Sequence, residues 1–498
     1  MNDLTTHEPV MPGGTTVNLS LISHTNAGKT TLARTLLGRD VGEVRDAAHV
    51  TDVATGYVLV QAGGDTLMLW DTPGFGDTSR LLQRLRNAGN PIGWFLTQVW
   101  DRWKERPLWS SQQAVKNARD QADAILYLVN AAEDPAGAAY VPLEMEVLQW
   151  IGKPVILLLN QMGPPRAGGE DEVRRWHEHL KHIGVVRGAM PLDAFARCWV
   201  QEGALLDELM PLLPPAKQPV MQKLTREWQR INLDEFDAAM RVLGASLLKA
   251  AQDKEPVGER KLLSQLTDLL RGSEDSQRVA RKSMAKLAER VEAETLSSTE
   301  QLIRIYGLSG KATKQVLERM GKDYENSEPA NEGFAAMLGG VMSGALGGLA
   351  ADVAAGGLTL GGGMIVGGIL GALGAGTLAK GYNLTRGEEG AAVKWSDEFF
   401  EGLVRSALLR YLAVAHFGRG RGDYSESEHP LHWQEAVAKV VEERSSHIRG
   451  FLQRVRSDGQ NQADLEDRAA RLVGGFAHTL LVRLYPEAEA VFSSETTA

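Results

Sequence analysis

The sequence predicts an α/β domain, a mostly parallel sheet with helices on both faces, followed by an α-helical region that carries a glycine-rich hydrophobic hairpin. Three shifts in composition predict it. Residues 14–215 alternate short Val/Ile/Leu-rich runs with helical patterns, the mark of repeated βαβ units. Residues 216–330 and 385–498 are charged and helical in pattern, with almost no strand signal. Between them, in 331–384, charge nearly vanishes and glycine becomes the commonest residue. At 498 residues the chain is too long for one hydrophobic core, so several domains are expected.

Composition narrows the function classes. A formal net charge of -9 argues against a chain whose main business is coating nucleic acid, and no nucleic-acid partner is expected. Cys198 is the only cysteine, which excludes an intrachain disulfide and a cysteine-built zinc site and favours a reducing compartment. The opening "MNDLTTHEPVMPGG" has neither a basic nor an apolar stretch, so no secretory signal is expected and a cytoplasmic location follows.

The first element is "TTVNLSLI", which alternates apolar and polar residues like a half-buried strand. "TLARTLLGRD" then places Leu32, Leu36 and Leu37 on one helical face and stops near Gly38. Between them lies "SHTNAGKTT", Ser23 to Thr31. A strand, a loop of small residues and a helix, with Gly28-Lys29-Thr30 at the joint, is the layout of a phosphate-binding loop. Phosphate oxygens need several converging N–H donors, and only a tightly curled backbone supplies them; here they would come from Asn26, Ala27, Gly28, Lys29 and Thr30, running into Thr31. Lys29 would reach the β- and γ-phosphates, and the Thr30 hydroxyl would face Mg²⁺. Ser23 stands where such loops usually open with glycine.

A second motif follows in "TLMLWDTPGFGD". A buried strand ends there in Asp71-Thr72-Pro73-Gly74. A carboxylate at the carboxyl end of a parallel strand faces the crevice where ligands bind. Asp71 would then hold the shell of Mg²⁺, and the Gly74 amide would meet the γ-phosphate.

These residues resemble a translation-factor-class small GTPase, of the branch that includes the bacterial Era and TrmE families. The resemblance implies GTP as substrate, GDP and phosphate as products, and Mg²⁺ as cofactor. In that branch the loop reads G-x-x-N-x-G-K-[ST]-[ST], and Asn26 falls in the asparagine place. The switch threonine lies 22 residues after the loop lysine, which is Thr51, with Thr55 as the alternative; it would close over Mg²⁺ and the γ-phosphate and release them after hydrolysis. Phe75 stands where many GTPases carry a water-orienting glutamine. Members of the branch also have an apolar residue there, and some use a K⁺ ion held partly by the loop asparagine.

The base motif of GTPases, N-K-x-D, appears after "KPVILLLN" as Asn160-Gln161-Met162-Gly163. Asn160 and Gln161 are the base-side candidates. The aspartate that pairs with guanine is missing, so either an acid from "GGEDE" (Glu170, Asp171) folds back or guanine selectivity is relaxed.

Segment 78–121 after the second switch is longer than a minimal GTPase needs and gathers Trp94, Trp100, Trp103 and Trp109. It is either an extra helix packed on the domain or a nucleotide-sensitive arm, with Arg102, Lys104 and Arg106 between the tryptophans. "DTPGFGDTSRL", "VWDRWKERPLWSSQQA", "LLLNQMG" and "DAFARCW" together resemble a bacterial group of GTPases fused to a C-terminal domain of unknown function.

The stretch from Phe334 to Ala379 holds 18 uncharged residues, Asp352, and 27 more uncharged residues. Each part approaches the roughly 20 residues a spanning helix needs. Gly340, Gly344 and Gly348, then Gly363, Gly367 and Gly371, recur at a spacing that lets two helix backbones touch. Membrane insertion through 334–379, at the inner face of the cytoplasmic membrane, is the expectation; the competing one is a buried soluble hairpin. Taken together, the sequence predicts a membrane-associated GTPase switch, with a homodimer through the switch face implied by the resemblance. The alternatives are a binding switch with negligible turnover and a nucleotide-gated pore.

Overall fold

The computed structural model describes residues 6–7, 13–25, 27–38, 53–76, 78–86, 91–97, 105–160, 169–192, 198–256, 274–308, 382–387, 390–417, 431–457 and 461–493. The glycine-rich segment 334–379 lies outside them. Two compact units divide the chain: one comprises 1–234, 415–430 and 485–498, the other 235–414 and 431–484.

The first unit is built on a sheet of strand order β1-β3-β4-β2-β5-β6-β7. Its strands are β1 (Thr6–His7), β2 (Thr16–Ser23), β3 (Thr55–Ala62), β4 (Asp65–Asp71), β5 (Ala124–Asn130), β6 (Val155–Asn160) and β7 (Val186–Pro191). Every pair among β4, β2, β5, β6 and β7 is parallel, and the β3–β4 hairpin alone is antiparallel. Gly63 and Gly64 make that hairpin turn in the left-handed region, at φ 52° and 91°.

Parallel strands need crossovers, and helices supply them on both faces. On β2 the side chains of Leu19 and Leu21 are buried on one face and Ile22 on the other. The first face is covered by α1 (Lys29–Leu37), α7 (Trp199–Leu209) and the start of α8 (Gln218–Gln252), through Leu36, Leu205, Leu206 and Trp228. The other packs Ile22, Tyr127 and Leu157 with α2 (Thr78–Leu85), α3 (Pro91–Thr97), α4 (Arg106–Asp120), α5 (Tyr140–Ile151) and α6 (Gly169–Leu180). α1 stops where expected: Gly38 adopts φ 62° and its amide returns to the Thr35 carbonyl.

The segment after the DTPG turn belongs to this core. Leu81, Leu82, Leu85, Phe95, Leu108, Val115 and Ala118 are buried with Phe75, and Gln112 Nε2 donates to the Phe95 carbonyl at 2.7 Å. Trp109 is buried and Trp94 packs against the same cluster. Trp100 and Trp103 lie outside the described residues.

The second unit is mainly helical. It contains the rest of α8, α9 (Glu274–Ile305), α10 (Asp397–Ala415, but for its last residue), α11 (Leu431–Glu443), α12 (Ser445–Val455) and α13 (Gln462–Leu484). Phe236, Met240, Leu243 and Leu247 recur on one buried stripe of α8, and Gly244 lets α8 approach α13 so closely that an added Cβ would lie 2.6 Å from the Ala470 nitrogen. Arg410 is buried and donates to Ser298 Oγ at 2.7 Å and Thr299 Oγ1 at 3.1 Å on α9.

This unit also holds a small antiparallel sheet absent from the sequence expectation. It pairs β8 (Lys254–Pro256), β10 (Gly390–Trp395) and β9 (Tyr382–Gly387) in that order. Three- and six-residue strands are too short for a period-two pattern to stand out, and β8 and β9 are far apart in the chain. A last helix, α14 (Ala488–Ser493), returns to the first unit, where Phe492 meets Trp199 edge-on at 5.5 Å.

Cys198, directly before α7, is buried, and burial pushes its thiol up to about 12. At pH 8 the thiol is therefore neutral as well as inaccessible. Iodoacetamide is expected to leave the native chain unlabelled and to label it on unfolding in urea; rapid native labelling would show that the start of α7 opens readily.

Candidate functional site

The site forms where β2, β4, β5 and β6 end together. β2 delivers Ser23, and the chain turns through the loop to Gly28, whose φ of 92° and ψ of 24° lie in the left-handed region. Only glycine takes that conformation cheaply, and a Cβ there would also sit 2.9 Å from Asn160 Nδ2. Asn160, fully buried at the end of β6, donates from Nδ2 to the Ala27 carbonyl at 3.0 Å. Its side chain thus holds the loop from β6, two strands away from β2 in the sheet. α1 begins at Lys29, with Leu32 N donating to the Gly28 carbonyl at 2.9 Å. The amides of its first turn face the crevice, as anion binding requires.

Lys29 is only 7% exposed. Its Nζ donates to Ser23 Oγ at 3.0 Å, and that hydroxyl in turn donates to the His24 carbonyl at 2.5 Å. Ser23 therefore gives the loop's first position a side chain that holds the ammonium. Burial lowers the Lys29 pKa, and the nearby carboxylates of Asp71 and Glu144 oppose the shift.

Asp71 ends β4 opposite Leu21 of β2 and is 2% exposed. Its Oδ2 accepts from Thr30 Oγ1 at 2.7 Å. Thr72 is tied back to the Leu21 carbonyl at 2.6 Å. A hydroxyl and one carboxylate side by side form a hard-oxygen pair of the kind Mg²⁺ uses together with substrate phosphates. Among the described residues no three His, Cys, Asp or Glu side chains converge into an all-protein metal cage. The donor set fits Mg²⁺ shared with a phosphate chain.

Gly74 runs directly against the loop: a Cβ on it would lie 2.8 Å from Thr25 Cα and 3.1 Å from Lys29 Nζ. Phe75 then zips to the loop backbone. Its amide donates to the Ser23 carbonyl at 2.9 Å, and its carbonyl accepts from Thr25 N at 3.1 Å and Thr25 Oγ1 at 2.7 Å. The Phe75 ring points into the core and is fully buried. Gly76 N donates to Ser111 Oγ of α4 at 3.1 Å, and a Cβ on Gly76 would meet Pro107 Cβ at 2.5 Å.

The structure therefore brings Ser23, Ala27, Gly28, Lys29, Thr30, Asp71, Gly74 and Asn160 together, with Thr31 buried in the first turn of α1. Asn26, Thr51 and Gln161 lie outside the described residues. Thr55 sits across the hairpin from Asp71 and donates to the Val53 carbonyl at 3.3 Å. Glu170 and Asp171 fall in the first turn of α6.

One group escaped the sequence reading. Glu144 of α5 is fully buried beneath the loop; its Oε1 accepts from His24 Nδ1 at 2.6 Å and Thr78 Oγ1 at 3.0 Å, and its Oε2 from Tyr127 OH at 2.5 Å. The signal was present in "YVPLEMEVLQWI", where Glu144 shares a helical face with Val141, Met145 and Leu148.

Residues 18–161 match the family described as 50S ribosome-binding GTPase, and residues 187–473 match one described as Domain of unknown function (DUF3482). No curated protein matches the chain. Several solved structures align with it weakly. Era in complex with MgGDPNP and nucleotides 1506–1542 of 16S ribosomal RNA is 21% identical over 40% of this chain and 58% of that chain, with a TM-score of 0.30. An Aquifex aeolicus Era variant bound to GDP and AlF4⁻ is 14% identical over 59% of this chain and 99% of that one, with a TM-score of 0.30. An S. thermophilus NFeoB variant bound to GDP and AlF4⁻ is 16% identical over 61% and 92%, with a TM-score of 0.24.

Removing the Asn160 amide leaves the Ala27 carbonyl without that donor. Asn160→Ala is expected to destabilise the ligand-free first unit by about 1–2 kcal/mol, read as an earlier urea transition. An unchanged transition would mean the loop keeps its shape without this bond.

Proposed function

The chain belongs to the DUF3482 family and carries a P-loop GTPase domain ahead of that region, and from this premise we propose that it hydrolyses GTP to GDP and phosphate as a conformational switch. The observation that carries the proposal is the convergence of a buried Lys29, held by Ser23, on Asp71, Thr30 and the Gly74 turn. The Lys29 ammonium would bind the β- and γ-phosphates, and the loop and α1 amides would hold their oxygens. Thr30 and Asp71, with Thr51, would hold Mg²⁺, which would supply countercharge to those phosphates. The Gly74 amide meets the γ-phosphate as charge shifts during in-line attack by water, so this chain's contribution is positioning and electrostatics.

Phe75 has its ring in the core, so the side chain after Gly74 takes no part in orienting water. Asn26 would partly hold a K⁺ ion that provides the missing positive charge. The same burial favours a second reading, a switch that binds GTP with negligible turnover. On the base side, Asn160 is engaged with the loop, and guanine selectivity would come from Glu170 or Asp171 at the start of α6. Membrane association is proposed for 334–379, at the inner face of the cytoplasmic membrane, with homodimer formation through the switch face. Among the described residues no helix is long and apolar enough to cross a membrane.

Fluorescent GTP and ATP analogues titrated into the full chain test the reading directly. Tighter GTP binding is expected, with Lys29→Ala weakening it by about a hundredfold or more through loss of a charge-assisted contact. Equal affinities would relax the base assignment, and no triphosphate binding would remove the GTPase reading. Phosphate release is expected to be faster in K⁺ than in Na⁺, with the difference lost in Asn26→Ala; equal rates in both salts would exclude the K⁺ route.

A further inference from the structure

We infer that Glu144 is a positioning residue for γ-phosphate recognition, coupling the phosphate loop to the turn that carries Gly74 by holding His24 and Thr78 on one buried carboxylate. The inference rests on the GTPase reading above and deepens it.

Packing alone does not account for this residue. Its neighbours on the buried face of α5, Val141, Met145 and Leu148, are apolar, and a carboxylate among them is unfavourable unless donors satisfy it. The donors come from three elements. His24 belongs to the phosphate loop, Thr78 is the first residue of α2, and Tyr127 lies on β5. Tyr127 is a constant donor, because burial and then the Glu144 charge push its hydroxyl pKa far above the usual value. The His24 ring also packs against Tyr140, 4.4 Å away between centroids, whose hydroxyl donates to Glu133 at 2.8 Å. Acceptance by a carboxylate oxygen places the His24 hydrogen on Nδ1.

The consequence lies between Gly74 and Thr78. Phe75 is paired to the loop backbone at both its amide and its carbonyl, and Gly76 is held by Ser111. Thr78 closes the turn: its amide donates to the Gly76 carbonyl at 2.8 Å, and its hydroxyl reaches Glu144 Oε1. One carboxylate oxygen thus ties the far end of this turn, at Thr78, to His24, three residues after Phe75, where Ser23 and Thr25 tie its near end. With both ends held to the phosphate loop, the Gly74 amide is aimed before the γ-phosphate arrives. A nucleotide without a γ-phosphate makes no use of that aim.

The test is a comparison of GTP-analogue and GDP affinities, with single-turnover hydrolysis, on the full chain and on Thr78→Val, Glu144→Gln and the double variant. Each single change is expected to weaken the triphosphate analogue by about five- to twentyfold and to slow hydrolysis similarly, with GDP affinity within about twofold. The double variant is expected to be no worse than the weaker single one, since both break the same link. Equal losses for GTP and GDP, or lost thermal stability with unchanged affinities, would overturn the inference. Thr78→Val preserves shape and decides the question if Glu144→Gln does not fold. Absence of triphosphate binding in the unchanged chain would remove the GTPase reading itself, whereas normal binding there with no GTP-specific loss in the variants overturns this inference alone.

Discussion

An ammonium taken out of water must be met by anions or dipoles, and the arrangement around Lys29 follows from that requirement. Its side chain is nearly buried, its nitrogen rests on the Ser23 hydroxyl, and the Asp71 and Glu144 carboxylates offset part of the cost of burial. A phosphate chain would complete the compensation, since it brings the negative charge that the protein supplies only in part. The same requirement explains an unusual first loop residue. Glycine there would leave the ammonium with one donor interaction fewer, and serine costs little because β2 is still extended at that point.

Around this charge the backbone is held unusually firmly. The DTPG turn is joined to the phosphate loop at Phe75, to α4 at Gly76 and to Glu144 at Thr78. Phe75 is apolar because its ring fills the core between the sheet and α2–α4. The residue that many GTPases aim at water is here aimed inward, and the segment that follows is the reason, because its helices build the pocket the ring occupies. Gly76 runs so close to α4 that a Cβ on it would lie 2.5 Å from Pro107 Cβ, so the turn passes α4 only without a side chain there.

The second unit obeys simpler physics. Its helices bury periodic apolar stripes, and the close approach at Gly244 needs a residue with no side chain. The small β8–β10–β9 sheet joins segments on either side of the glycine-rich stretch, β8 before it and β9 with β10 after it.

The sequence by itself determined the α/β domain, the loop from Ser23 to Thr30, the strand end at Asp71 and the stop of α1 at Gly38. Each of these is written in local periodicity or in a compact motif, and local physics suffices to read it. The burial of Trp109, the inward ring of Phe75, the use of Asn160 on the Ala27 carbonyl and the three-donor clamp on Glu144 were decided only by the tertiary structure. They depend on partners 17 to 133 positions away, and a single chain read in order carries no record of which strand ends will meet. Glu144 shows the boundary most clearly. Its place on an apolar helical face was legible, but the reason a buried carboxylate is tolerated there exists only once His24, Thr78 and Tyr127 have been folded around it.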